Sequence, residues 1–257
     1  MGKNTPKRTI LDRIEKIMNK RQKIDFNAIA TLHGLDWTEA EDMAKNIFLK
    51  PGWAVFYVRD EGFIDHISIV PAYESEFPLN LLNTPLLHVT PPPIGLGVGP
   101  LTNDVFDQSG TRVCTAFEFI ESYKNRHSYK KIFFGPPPTF SELLLEEAGK
   151  IANAIAKTGL LDGKPIVFSY GMLPIIKKFF ISFFDSNKQK AKFIPIKKLH
   201  QSVIPLYCGG LVGEIWKRAG IKNIPEIKFL KMRGPSSFSI FKWCYDYGTI
   251  KTGLSWG

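Results

Sequence analysis

The stretch Leu206 to Ile221, LYCGGLVGEIWKRAGI, constrains the fold most, because its pattern predicts a short helix with a cysteine in the first turn. Leu211, Val212, Ile215, Trp216 and Ala219 recur at the spacing of one helical face. Cys208 lies one turn before Leu211 and Val212, so its side chain shares that buried face. Lys217 and Arg218 fall where cations complement the helix dipole, and Gly220 marks a stop. At the other end, free backbone N–H groups would favour a thiolate on Cys208. A nucleophile needs that environment and a histidine beside it. An inert cysteine packed in a core helix fits the same spacing.

At 257 residues the chain can hold one sizeable domain with additions, or two small ones. The 44% hydrophobic and 23% charged content is that of a globular protein with a core of its own. Cys114, Cys208 and Cys244 are few and far apart, which argues against a disulfide framework and for a reducing compartment. No CxxC or Cys/His cluster has zinc-ligand spacing. Gly95, Gly97 and Gly99 lack the continuation of a phosphate-binding loop, so neither metal nor cofactor is expected.

The opening MGKNTPKRTILDRIEKIMNKRQK lacks the apolar core of a signal peptide, and Pro6 stands where a myristoylation motif needs Ser or Thr. The greasy window Pro165 to Phe184 is broken by Pro174, Lys177 and Lys178 and does not read as a membrane span. A cytoplasmic location is expected. The net charge of +10 favours acidic partners, an anionic membrane surface among them, although the basic residues are spread along the chain.

Along the chain, an amphipathic basic helix is predicted over Thr9 to Arg21, and a second from Phe26 to Leu32. Thr38 to Glu41, TEAE, reads as a capping box opening a third helix through Phe48. Strands follow at Trp53 to Val58 and Ile64 to Val70. In the latter, His66, Ser68 and Val70 share one face and Ile67 and Ile69 the other. A short strand at Leu86 to Thr90 puts Leu86 and His88 on one face, and TRVCTAFEF (Thr111 to Phe119) resumes strand character. Thr139 or Ser141 caps a helix from Glu142 to Lys157 ending at Gly159, with a turn at Asp162-Gly163. Pro235 to Ser237 reads as a turn.

Taken together these pieces resemble the circularly permuted NlpC-type hydrolases, a branch of the papain-like cysteine enzymes that includes poxvirus members and lecithin retinol acyltransferase. LYCGGLVGEIWKRAGI is similar to the family's cysteine helix, which commonly reads YCSELV and closes on AG[IV]. PGWAVFYV resembles the opening GDIIF strand, DHISIV the HVGIV strand that carries the histidine, and LLHVTPPPIGLGVGPL the VIEA segment. TRVCTAFEF and GKPIVF resemble the pieces that follow. The likeness covers approximately residues 50 to 221, histidine first and cysteine last.

The resemblance implies an α+β protein with an antiparallel sheet packed on the cysteine helix. It implies a catalytic domain over 51–221; residues 1–50, outside the likeness, read as a helical N-terminal extension and 222–257 as a C-terminal extension. It implies Cys208 as nucleophile, His66 as general base, and His88 as the third polar residue in place of the VIEA glutamate. That set would break or transfer an amide or ester bond, in a peptide or an acyl-lipid, through a thioester. The backbone N–H of Cys208 would be an oxyanion donor. Trp53 replaces the family's aspartate and Gly209-Gly210 its Ser-Glu, which should leave the thiol more accessible.

Two other readings stand. One is a winged-helix DNA-binding protein over residues 9–70, against which Glu39, Glu41 and Asp42 count because phosphates would repel them. The other is a member of the same fold that binds a ligand without catalysis.

Overall fold

The computed structural model describes residues 24, 26–74, 79–90, 110–123, 129–168, 204–226 and 234–257. The helix expected over Thr9 to Arg21, the glycines Gly95, Gly97 and Gly99, and residues 169–184 of the greasy window lie outside these.

The elements run α1 (Phe26–Ile29), β1 (Ala30–Leu35), α2 (Trp37–Ala44), β2 (Ala54–Arg59), β3 (Ile64–Ile69), β4 (Leu86–Val89) and β5 (Thr111–Cys114). They continue with α3 (Ala116–Tyr123), β6 (Tyr129–Gly135), α4 (Glu142–Thr158), β7 (Leu160–Leu161), β8 (Lys164–Phe168) and β9 (Ile204–Leu206). Last come α5 (Cys208–Arg218), α6 (Ser237–Asp246) and β10 (Lys251–Trp256). The protein is mixed α/β. Among the described residues seven strands form one sheet in the order β1-β10-β6-β2-β3-β4-β5, and β7, β8 and β9 form a smaller one.

The large sheet is antiparallel from β10 to β5, but β1 pairs parallel with β10. The expectation of a purely antiparallel sheet is corrected to a mixed one. Residues on both sides of 51–221 enter it, since β1 and β10 occupy neighbouring positions at one end. Among the described residues, no helix is long and apolar enough to cross a membrane.

Strand alternation sorts the core into two layers. Ala54, Phe56, Val58, Ile67 and Ile69 face α4, α5 and α6, whereas Val55, Tyr57, Val70 and Leu86 face α2 and α3. Both faces of β2 and β3 are therefore covered. That buried position, between β6 and β4, removes the winged-helix reading, which needs the same two strands as an exposed hairpin.

Three local expectations are corrected. Ala30 to Leu35 is a strand rather than the end of a helix, because it pairs with a C-terminal strand remote in sequence. The capping box of α2 is Asp36 with Glu39, two residues before TEAE, and the helix ends at Ala44. The strand in TRVCTAFEF stops at Cys114. Thr115 and Glu118 then exchange hydrogen bonds of 3.2 and 2.8 Å in a second capping box that starts α3. By contrast α4 begins on the Ser141 cap and ends at Gly159, as its sequence predicts.

The cysteine helix is fastened to the sheet by Trp216, fully buried, whose Nε1 donates to the Gly52 carbonyl at 2.8 Å. Gly52 has φ +78°, and a Cβ there would stand 2.4 Å from the Leu145 carbonyl oxygen. Both the backbone conformation and the approach of α4 thus exclude a side chain. Gly52→Ala should cost about 2–4 kcal/mol from strain plus overpacking. Urea unfolding checks this, and a change below about 0.5 kcal/mol would contradict the account.

Candidate active site

Cys208 is the first residue of α5, with Tyr207 at the N-cap in extended conformation and no side-chain cap. The first-turn N–H groups have no partner within a helix, so they are available to a sulfur or an oxyanion. Cys208 is only 3% exposed. Its Sγ lies 3.6 Å from the Asp65 carbonyl oxygen and receives a hydrogen bond from the Ile67 N–H. These are the backbone groups immediately before and after His66. Among the described residues β4 meets β3 in register at Ile69 and Leu87, and the sulfur lies against the stretch of β3 before that pair.

His66 and His88 meet on the other layer, with the His66 Nε2 3.0 Å from the His88 Nδ1. The His88 Nε2 lies 3.3 Å from the Cys114 carbonyl oxygen. A carbonyl only accepts, so His88 Nε2 carries the proton and His88 Nδ1 the lone pair. His66 must then donate through Nε2, and its own lone pair, when neutral, sits on Nδ1. The backbone of β5 thereby sets the tautomer of both rings. Phe119 stacks on both imidazoles at centroid distances of 4.2 and 4.7 Å, with interplanar angles of 15°. The Tyr57 ring lies 5.3 Å from that of His66, and its hydroxyl is 3.2 Å from Ser68 Oγ.

Burial governs the electrostatics. His88 is fully enclosed, and desolvation pushes its pKa down to about 3, so it is neutral throughout the ordinary range. Burial likewise pushes the Cys208 thiol up, against hydrogen bonds from Ser237, Ile67 and Gly209 that pull it down. The Gly209 N–H at the helix N-terminus does favour a thiolate, but desolvation in this closed arrangement outweighs it. Burial also raises Cys114 and Cys244, to about 12.

The structure brings Cys208, His66 and His88 into one region of the molecule. His66 bonds to His88, but the hydrogen-bond partners of the thiol are Asp65, Ile67, Gly209 and Ser237 rather than the His66 ring. Among the other histidines, His33 falls on β1, and His127 and His200 lie outside the described residues. Among the described residues no group of three His, Cys, Asp or Glu could hold a metal ion.

Ser237 was not foreseen. It is the first residue of α6, is 6% exposed, and its Oγ lies 3.2 Å from Cys208 Sγ. The one signal for it was the serine pair after Pro235, which fits an N-cap as well as a turn. Gly209 also has a different consequence from the one expected. A Cβ at Gly209 would meet the Pro235 carbonyl oxygen at 2.5 Å and the Ser237 nitrogen at 2.7 Å. Its small size lets the C-terminal segment close over the thiol, and the sulfur is less accessible as a result.

No protein-family model matches the chain, and neither a curated protein nor a solved structure matches it.

Keeping His88 neutral links stability to pH. The folded-state pKa near 3 lies below the ordinary 6.5, so the unfolded chain binds the extra proton between these values. The contribution is complete above about pH 6.5 and is lost as pH falls toward 3, at up to about 1.4 kcal/mol per pH unit. His88→Gln should lower stability at pH 7 yet flatten its decline between pH 6 and 4. Unfolding midpoints across that range test this, and a slope identical to that of the wild type would refute it.

Proposed function

We propose that the protein is a cysteine-dependent hydrolase or acyltransferase of permuted papain-like type, acting on an amide or ester bond through a thioester on Cys208. One observation carries this reading: the thiol sits against the backbone on either side of His66, whose ring is held by His88 and whose tautomer leaves the lone pair on Nδ1. A nucleophile, a base and an orienting group are the minimum set for such chemistry. The order of the elements agrees, with β3 and β4 before α5 and the helix packed on β3.

In the reaction, once the His66 imidazole is brought to the sulfur from the other layer of β3, its Nδ1 accepts the thiol proton as sulfur attacks the carbonyl carbon. The C–S bond forms and the carbonyl electrons move to oxygen. First-turn N–H groups of α5, that of Cys208 among them, stabilise this oxyanion. Collapse breaks the bond to the leaving amine or alcohol, which takes the proton from His66. Water, or an acyl acceptor, then gives a proton to His66 and attacks the thioester, and the sulfur leaves and regains that proton. His88 contributes by holding the imidazole. Being neutral, it orients the ring and does not balance its charge. Apo sites commonly hold catalytic hydrogen bonds longer than the Michaelis complex does.

The bond attacked belongs to a peptide or an acyl-lipid, and the +10 charge favours a substrate presented at an anionic surface. A second reading, a ligand-binding member without catalysis, has support from the thiol's burial and from its bonds to Ser237 and Asp65 instead of the imidazole.

The test uses p-nitrophenyl acetate as an activated acyl donor. An acetyl adduct should appear on Cys208 by peptide mass mapping, vanish in Cys208→Ala, and form about 100-fold more slowly in His66→Ala. Equal adduct formation in wild type and His66→Ala would overturn the catalytic reading and favour the second.

A further inference from the structure

The C-terminal segment holds the thiol through a residue outside the part of the chain that resembles the hydrolases. Ser236 caps α6, its Oγ accepting from the Ser239 N–H at 3.1 Å, so capping does not occupy the next hydroxyl. The Ser237 hydroxyl turns instead to Cys208 Sγ at 3.2 Å, with both side chains in the core.

Three residues around the cysteine fix this approach. Tyr207 Oη donates to the Gly234 carbonyl at 2.5 Å. Gly209 lets the backbone of Pro235 to Ser237 come within a distance that no Cβ would permit. The Pro235 ring fills the space that a side chain at Gly213 would take, its Cγ 2.5 Å from that Cβ position. The segment is thus matched to α5 at successive turns, and the hydroxyl–sulfur contact follows from that match.

We propose that Ser237 is a positioning residue for Cys208: its hydroxyl donates to the sulfur, fixes the side chain against β3 and stabilises the ionised sulfur once the proton has left. While the thiol is protonated, its S–H has the Asp65 carbonyl as acceptor at 3.6 Å, which leaves the Ser237 O–H to donate to sulfur. After ionisation the sulfur can only accept, and the Asp65 carbonyl becomes a repulsive neighbour. The Ser237 hydroxyl and the Ile67 N–H then hold the negative charge. The proposal rests on the cysteine-nucleophile reading for its purpose, but its geometry stands apart from it.

The test is the pH profile of Cys208 alkylation by iodoacetamide in the full chain, followed by peptide mapping so that Cys114 and Cys244 do not contribute. Wild type, Ser237→Ala, Ser237→Thr and His66→Ala are compared, with melting curves to confirm folding. Ser237→Ala should move the midpoint up by about one to two pH units, and Ser237→Thr, which keeps the hydroxyl, should restore it. If alanine unfolds α6, Ser237→Val, the hydroxyl-free isostere of the threonine variant, is compared with Ser237→Thr and is expected to give the same shift. An unchanged midpoint in the folded hydroxyl-free variant overturns the role of Ser237, whatever His66→Ala does. A shift in that variant beside an unchanged His66→Ala supports Ser237 and overturns the catalytic pair instead.

Discussion

The seat of α5 on β3 is the contact on which the rest of the site depends. Taken alone, α5 is a poor helix: Gly209, Gly210 and Gly213 fall within its first six residues, and an interior glycine costs about 1 kcal/mol relative to alanine. Against that stand Leu211, Val212, Ile215 and Trp216, all fully buried or nearly so, each worth about 1.5–3 kcal/mol on burial. Tertiary packing wins, and the helix exists because the sheet is there. The same glycines that weaken it let α6 and the segment before it come into contact. Helix, strand edge and C-terminal segment therefore assemble around the sulfur as one unit.

Two opposed effects meet at that sulfur. Helix-terminal N–H groups and the Ser237 hydroxyl favour negative charge, whereas enclosure favours the thiol. Enclosure is the larger, so the resting sulfur is held toward the thiol. On the other layer the tautomer of the imidazole pair is set from outside, by the Cys114 carbonyl through His88. Phe119 and Tyr57 keep this pair in a largely apolar wall, where an extra proton on His88 is strongly disfavoured.

Much of the layout was legible where signals are local. The apolar stripe of α5, the Ser141 cap and Gly159 end of α4, and the alternation of β3 each depend on residues a few positions apart. The face shared by His66 and Ser68 follows from that alternation alone. Misreadings arose where a distant partner decides. Ala30 to Leu35 is short and near a helix, and only pairing with β10 makes it a strand. In TRVCTAFEF the T-x-x-E of Thr115 and Glu118 was present as a helix start, but the preceding β-rich residues masked it.

What the sequence by itself determined is the set of elements with strong periodicity and caps, the order of the two histidines and the cysteine, and the surface charge of the chain. Only the tertiary structure decided that β1 and β10 join the sheet, that Gly209 closes the site, and that Ser237 touches the sulfur. The reason is the range of the forces involved. Periodicity and capping act over one or two turns of chain, so they are written locally. A steric fit such as Pro235 against Gly213, or a hydrogen bond between residues 208 and 237, exists only once packing has brought remote segments together.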